Sequence, residues 1–182
     1  MPKDFVYFDL ETQRSANDVG GWNNKGAMGM SVGVTYSSAT GEYVVYGENR
    51  VDDLIKQLLN ADLVIGFNHI NFDYAVLEGY QPIYLAERCN NLDLMVDLEE
   101  SSGTRPNLES VASASIGAGK TAKGIDAIKW WREGRFRDVA EYCCYDVKVT
   151  MLVHEFGAKN GHVKFTDRFG NSREIDVKWN LP

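Results

Sequence analysis

Phe5-Val6-Tyr7-Phe8-Asp9-Leu10-Glu11-Thr12 is the stretch on which the reading of this chain turns. From Phe5 to Leu10 it is apolar at odd and even positions alike, the pattern of a strand covered on both faces and therefore central in its sheet. Its end carries two acids one residue apart. Strand alternation sends Asp9 and Glu11 to the same side and Leu10 to the other. Two like charges at the end of a buried strand are costly unless a cation compensates them. A solvated strand end leading into a turn is the alternative reading of this pair taken alone.

Beyond this strand, Ser15 to Gly29 is rich in Asn and Gly and reads as a loop. Met30, Val32, Val34 and Tyr36 alternate with small or polar residues. After the turn-like Ser37 to Gly41 comes a second run, Tyr43 to Tyr46, so the two form a hairpin. Val51, Leu54, Ile55, Leu58 and Leu59 keep helical spacing. Leu63 to Phe67 reads as another buried strand, followed by a helix containing Phe72, Ala75, Val76 and Leu77. Leu92 to Val96 reads as a fifth strand. Asn107 is placed to cap a helix ending near Gly117, and a short helix is expected near Ile125 to Trp131. A long helix runs from Phe136 to about Phe156, with Gly157 as its stop. His162 to Trp179 reads as two strands around Asp167 to Asn171. This order predicts an α/β fold with a five-stranded mixed sheet flanked by helices, and an extra C-terminal β-hairpin. The main domain is expected over residues 1–158, with 159–182 as its hairpin extension.

The chain has 182 residues, 44% of them hydrophobic, enough for one full core. No apolar run reaches membrane-spanning length, and the N-terminus goes almost directly into the first strand. A cytoplasmic protein is the expectation. The three cysteines, Cys89, Cys143 and Cys144, include an adjacent pair and no C-x-x-C spacing. That speaks against a disulfide framework or a zinc knuckle, and small buried hydrophobes are the plain reading of Cys143 and Cys144. The formal net charge of −7, from 26 acidic and 19 basic residues, counts against non-specific nucleic-acid binding. Local charge differs: Lys120, Lys123, Lys129, Arg132, Arg135 and Arg137 form a basic stripe. Gly117-Ala118-Gly119-Lys120-Thr121 lacks the earlier glycine and the preceding strand of a phosphate-binding P-loop, and is set aside.

Two further signals join the first. In Gly66-Phe67-Asn68-His69-Ile70-Asn71-Phe72-Asp73 the strand ends near Asn68, and Asp73 falls in the first turn of the next helix, where an acid also favours the helix dipole. Tyr142 and Asp146 stand four apart on the long helix and share one face. Asp-x-Glu after the first strand, Asn-x-x-x-Phe-Asp after a later one, and Tyr-x-x-x-Asp on a late helix form an unusual set. In these motifs the chain resembles the DEDD superfamily of 3′–5′ exonucleases, in its tyrosine-bearing branch, which includes the proofreading domains of DNA polymerases. Tyr142-Cys143-Cys144-Tyr145-Asp146 is similar to the third motif of family B polymerase exonucleases. The resemblance spans roughly Phe5 to Phe156 and implies a ribonuclease-H-like fold.

By position, the resemblance implies that Asp9, Glu11, Asp73 and Asp146 bind two divalent cations, Mg²⁺ or Mn²⁺, and that Tyr142 orients the attacking water. Hard oxygen ligands suit those ions. Two cations about 3.5–4 Å apart can activate water and stabilise a leaving 3′-oxygen. In that scheme Asp9 bridges both ions, Glu11 and Asp146 complete the water-activating site, and Asp73 anchors the second. The expected activity is removal of nucleotides from the 3′ end of a single strand, DNA favoured over RNA, alone or with a separate polymerase or other replication or repair partner. Leu10 and Thr12 on one side and Asn68 and Phe72 on the other could hold the terminal nucleotide, and Lys120 and Lys123, near Trp130 and Trp131, could grip phosphates; two core tryptophans on an ordinary charged helix are the alternative reading of that stripe. Two competing readings are a catalytically silent nucleic-acid-binding or scaffolding module and an aspartate-nucleophile phosphatase. The latter wants a second Asp where Glu11 stands.

Overall fold

The computed structural model of the chain describes residues 3–119, 122–167 and 169–182. A five-stranded sheet is built from β1 (Phe5–Thr12), β2 (Met30–Ser37), β3 (Glu42–Gly47), β4 (Leu63–Gly66) and β5 (Asn91–Asp93), in the order β3-β2-β1-β4-β5. β1 pairs antiparallel with β2, and β2 with β3; β1 pairs parallel with β4, and β4 with β5. The apolar strand is thus central, as its two-faced burial requires.

Each face of β1 has its own core. Val6, Phe8 and Leu10 pack with Leu54, Ile55 and Leu58 of α1 (Val51–Asn60) and with Tyr74, Val76 and Leu77 of α2 (Asp73–Leu77). Phe5 and Tyr7 face the other way, onto Val139, Cys143, Val147 and Val153 of α7 (Phe136–Asn160). Asp9 and Glu11 continue the row of Phe5 and Tyr7, so the same alternation that buries β1 aims both acids at α7.

Between these elements lie α3 (Leu85–Arg88), α4 (Leu94–Ser102), α5 (Leu108–Ile116) and α6 (Gly124–Arg132). The Asn107 side chain caps α5 by accepting from Ser110 N at 2.8 Å, and the helix ends at Gly117 with φ 68°. The C-terminal hairpin, β6 (His162–Thr166) and β7 (Ser172–Asp176), joins the α7-side core through Val163, Phe165 and Ile175. Two serines of α5 serve its outer edge: Ser115 Oγ accepts from Lys164 N and Ser110 Oγ from Thr166 N.

Three sequence expectations are corrected. The fifth strand is Asn91–Asp93 rather than Leu92 to Val96, because the Asp93 carboxylate accepts from Met95 N and Val96 N and starts α4 there. Gly157 does not stop α7. It lies inside the helix beneath the Trp179 indole, where a side chain would collide, and the left-handed Gly161 ends the helix instead. The Ser15 to Gly29 segment holds two short 3-10 turns, Asn17–Val19 and Trp22–Ala27. Among the described residues no helix is long and apolar enough to cross a membrane.

Candidate metal centre

The parallel ladder between β1 and β4 closes at Tyr7 and Ile65, so β1 runs on past its neighbour. On that side the Leu10 N–H has no strand to meet. The Asp73 carboxylate takes the place: Leu10 N donates to Asp73 Oδ1 at 3.0 Å, in a buried setting where Asp73 is only 2% exposed. The first residue of α2 thereby closes the end of the central strand and brings a third acid beside Asp9 and Glu11.

The fourth comes from α7. Asp9, Glu11 and Asp146 each offer a carboxylate oxygen within 4.8 Å of the others, a spacing able to hold a metal ion. All three are half-buried. Burial is the first cause that pushes the Asp9 carboxyl well above its ordinary range, and the charges of Asp73, Asp146 and Glu11 add to it, while a hydrogen bond from the Cys143 thiol pulls the other way. Glu11 is pushed up by burial and then by Asp146 and Asp73. Asp73 is raised to about 8, mainly by burial, against the lowering effect of the Leu10 N–H. Asp9, Glu11 and Asp146 form a group that could hold a cation, and Asp73 lies outside that group, although its charge reaches Asp9 and Glu11.

Tyr142 sits one turn before Asp146 on α7, hydrogen-bonded to it, with the Trp130 ring edge-on and the ring centroids 6.2 Å apart. Burial first, then the charges of Asp146, Glu11 and Asp9, drive its hydroxyl pKa further up. The phenol keeps its proton at neutral pH and can donate it in a hydrogen bond. A cavity of about 310 Å³ opens beside Tyr142 and Asp146, walled by Leu108, Ala112 and Tyr145.

No protein-family model matches the chain, and no curated protein matches it in sequence. Solved structures do match in fold. One is a family B DNA polymerase from the hyperthermophilic archaeon Pyrobaculum calidifontis, 16% identical with a TM-score of 0.65 over 86% of this chain and 25% of that one. The fold is ribonuclease-H-like. The chain spans a quarter of the length of that polymerase, and at this identity the likeness concerns architecture alone.

On this ribonuclease-H-like frame the other sequence-selected residues fall as follows. Asn68 takes a left-handed φ of 67°, which Asn tolerates, and its side-chain oxygen accepts from Arg105 Nη2 at 3.1 Å. The Thr12 hydroxyl donates to the Arg14 carbonyl at 3.0 Å. Phe72 is half-buried at the head of α2. Lys123 is exposed at the head of α6, and Lys120 lies outside the described residues. The basic stripe is largely neutralised by neighbouring acids. Arg132 pairs with Asp18 at 2.7 Å, Arg135 with Asp138 at 2.8 Å, Arg137 with Glu141 at 2.7 Å, and Lys129 with Glu133 at 3.9 Å.

Sequence reasoning passed over two residues that the site uses. Cys143 is buried, as expected, but its Sγ also lies 3.4 Å from both the backbone oxygen and Oδ2 of Asp9, tying α7 to β1 at the acid cluster. Its place next to Tyr142 on the inward helix face was the available signal. Asp93 gathers the loop that carries Asn68 and Asp73, accepting from Asn68 N at 2.7 Å and Ile70 N at 3.0 Å. The buried His69 packs below: its Nε2 meets Asn91 Oδ1 at 3.2 Å and Tyr74 stands edge-on to its ring. Burial lowers the His69 pKa, so the imidazole is a neutral part of the scaffold.

Proposed function

We propose that the chain is a two-metal-ion 3′–5′ exonuclease that hydrolyses phosphodiester bonds at the 3′ end of single-stranded nucleic acid, DNA favoured over RNA. The observation that carries this reading is the convergence of Asp9, Glu11 and Asp146 within 4.8 Å. Asp73 is buried behind Leu10 and Tyr142 stands one helical turn from Asp146. Carboxylate oxygens suit Mg²⁺ or Mn²⁺, which when bound would supply an activated water and stabilise the leaving oxygen.

The protein's own groups divide the remaining work. Asp9, Glu11 and Asp146 would hold the cations. Asp73 has one oxygen on Leu10 N–H and would anchor the second cation through the other, directly or through water. Tyr142, protonated at neutral pH, would orient the attacking water and is unsuited to act as the base. Cys143 holds the Asp9 carboxylate in position. A separate polymerase or other replication or repair protein would be the natural partner of such an activity.

The test is incubation of pure protein with Mn²⁺ and single strands labelled at the 5′ end. A ladder shortening from the 3′ end, abolished in Asp146→Ala, is expected. Strands that stay intact under Mg²⁺ and Mn²⁺ would leave a non-catalytic binding or scaffolding module, a reading against which the presence of all four acids, Asp9, Glu11, Asp73 and Asp146, speaks.

A further inference from the structure

The five-stranded sheet ends at β3, and the outer edge of that strand is open. The Ser38 N–H donates to the Phe5 carbonyl at 2.9 Å, and strand alternation fixes the rest. In β2 the even-numbered residues bond β1, and the odd-numbered ones bond β3 at Glu42, Val44 and Tyr46. Tyr43, Val45 and Gly47 therefore turn their N–H and C=O groups outward, where no described residue meets them. Their side chains are open as well. Tyr43 is 40% exposed and Val45 42%, both on the α7 face of the sheet.

Elsewhere the chain guards its strand edges. The hydroxyls of Ser110 and Ser115 occupy the outer edge of β6, β7 carries Arg173, Glu174 and Asp176, and β5 is only three residues long. Covering, charge and shortness are the usual devices against edge pairing. The middle of β3 has none of them. Tyr43-Val44-Val45-Tyr46 is uncharged, lacks proline and pairs with β2 without a bulge. Aromatic and β-branched residues of this kind favour an added strand.

We infer that the β3 edge is a self-association surface, on which a second copy of this chain lays its own β3 antiparallel to make one continuous sheet. The register follows from the residues. A two-fold axis at Val44 sets Tyr43 opposite Val45 of the second copy, and Val45 opposite its Tyr43. Both residues face outward, so each pair exchanges both of its backbone hydrogen bonds, and an aromatic ring meets a β-branched side chain on one face. The same register sets Glu42 opposite Tyr46 of the second copy. Arg50 lies over the Tyr46 ring, its Cζ 4.9 Å from the centroid, so the Glu42 carboxylate meets a guanidinium at both ends of the interface. Asp53 bonds only the Nε of Arg50, at 3.0 Å, which leaves its other nitrogens for this contact. The edge is thus complementary to itself in hydrogen bonds and in charge, which favours a second copy over the strand of another protein. Glu11 pairs with Val32 and Val32 with Gly47, so the acid cluster lies behind β2, toward the Gly47 end, and stays open. Pairing at β3 does not depend on the nuclease reading.

Sedimentation of the full chain from micromolar to millimolar concentration tests this. The mass should rise from 20.4 kDa toward twice that value. Val45→Lys puts an ammonium on the pairing edge and should keep the chain monomeric. The position is exposed, so the fold is expected to survive, and circular dichroism checks it. Charge exchange tests the register. Glu42→Arg alone and Arg50→Glu alone each set like charges against one another at both ends of the interface, and each should weaken self-association about 2- to 30-fold. Mixing the two variants should restore it, because each then offers the other opposite charges. A chain monomeric at every concentration would overturn the second copy as occupant and leave the edge to another protein's strand. A dimer that survives Val45→Lys, or charge variants that do not recover on mixing, would overturn pairing at β3.

Discussion

The Leu10 N–H donates to Asp73 Oδ1 at 3.0 Å, joining the middle of the acidic end of β1 to the first residue of α2. Leu10 points its side chain into one core while its neighbours Asp9 and Glu11 face the other. One hydrogen bond thus satisfies a backbone group left over where β4 stops, and holds a carboxylate near the acid cluster of Asp9, Glu11 and Asp146. Asp73 has two jobs, and they can be separated.

Asp73→Asn keeps an oxygen for Leu10 and removes the charge, whereas Asp73→Ala removes both. Leaving a buried N–H without an acceptor costs about 1–3 kcal/mol. In metal-free buffer at pH 8, Asp73→Ala should melt below Asp73→Asn by an amount of that order, and Asp73→Asn should melt at or above wild type. Thermal unfolding followed by circular dichroism checks this. Equal melting temperatures for the two variants would mean that the Leu10 contact contributes nothing.

Raised carboxyl pKa values make metal-free stability depend on pH. Asp9, Glu11 and Asp73 hold protons in the folded state at pH values where the unfolded chain has lost them, Asp73 up to about 8. Stability is then greatest below the unfolded pKa and falls as pH rises toward the folded one. His69 and His154, both lowered by burial, act in the opposite direction, but only below their ordinary pKa of 6.5. Between pH 6.5 and about 8.5 the carboxylates act alone among these groups. The melting temperature without metal should fall by several degrees across that window. Mn²⁺ should restore it, more at pH 8 than at pH 6.5. A flat profile, insensitive to Mn²⁺, would contradict the coupling among these acids.

Tyr142→Phe removes a hydroxyl bonded to Asp146 and leaves the carboxylates in place. Turnover should drop about 10- to 100-fold, as for loss of a group that orients a metal-centred reaction. The Mn²⁺ affinity measured by calorimetry should stay within a few-fold of wild type. A rate equal to wild type would remove the tyrosine from the reaction.

The Trp179 indole closes the α7-side core over Gly157, with Nε1 donating to Asp97 Oδ2 at 2.8 Å and the ring stacked on His154. Trp179→Ala should cost about 3–5 kcal/mol, the usual loss for a buried large aromatic residue. It should leave the metal affinity of the folded protein unchanged, because the contact lies on a different part of α7 from Asp146. Urea unfolding measures the first and calorimetry the second; a stability change near zero would show that the tail segment is not part of the core.

The sheet and three of the acids were legible because they sit where periodicity is strict. A strand buried on both faces leaves no doubt about the side taken by Asp9 and Glu11, and a helix spacing of four joins Tyr142 to Asp146. Asp73 was legible as a helix start, but its bond to Leu10 was not, since it depends on where β4 ends relative to β1. Asp93 was hidden inside an apolar run that reads as strand, although its capping carboxylate turns Leu94 and Met95 into helix. The Trp22–Ala27 turn was hidden in an Asn- and Gly-rich segment with no period, and its location depends on Gly79, far along the chain. Gly157 looked like a terminator because sequence alone does not place the Trp179 indole above it.

Anomalous diffraction from a crystal soaked in Mn²⁺ tests the central claim most directly. The account predicts two peaks among these acids, about 3.5–4 Å apart. One should be bound by Asp9, Glu11 and Asp146, and the other by Asp9 on the side of Asp73. No peak at these carboxylates, with Mn²⁺ bound elsewhere or not at all, would contradict it.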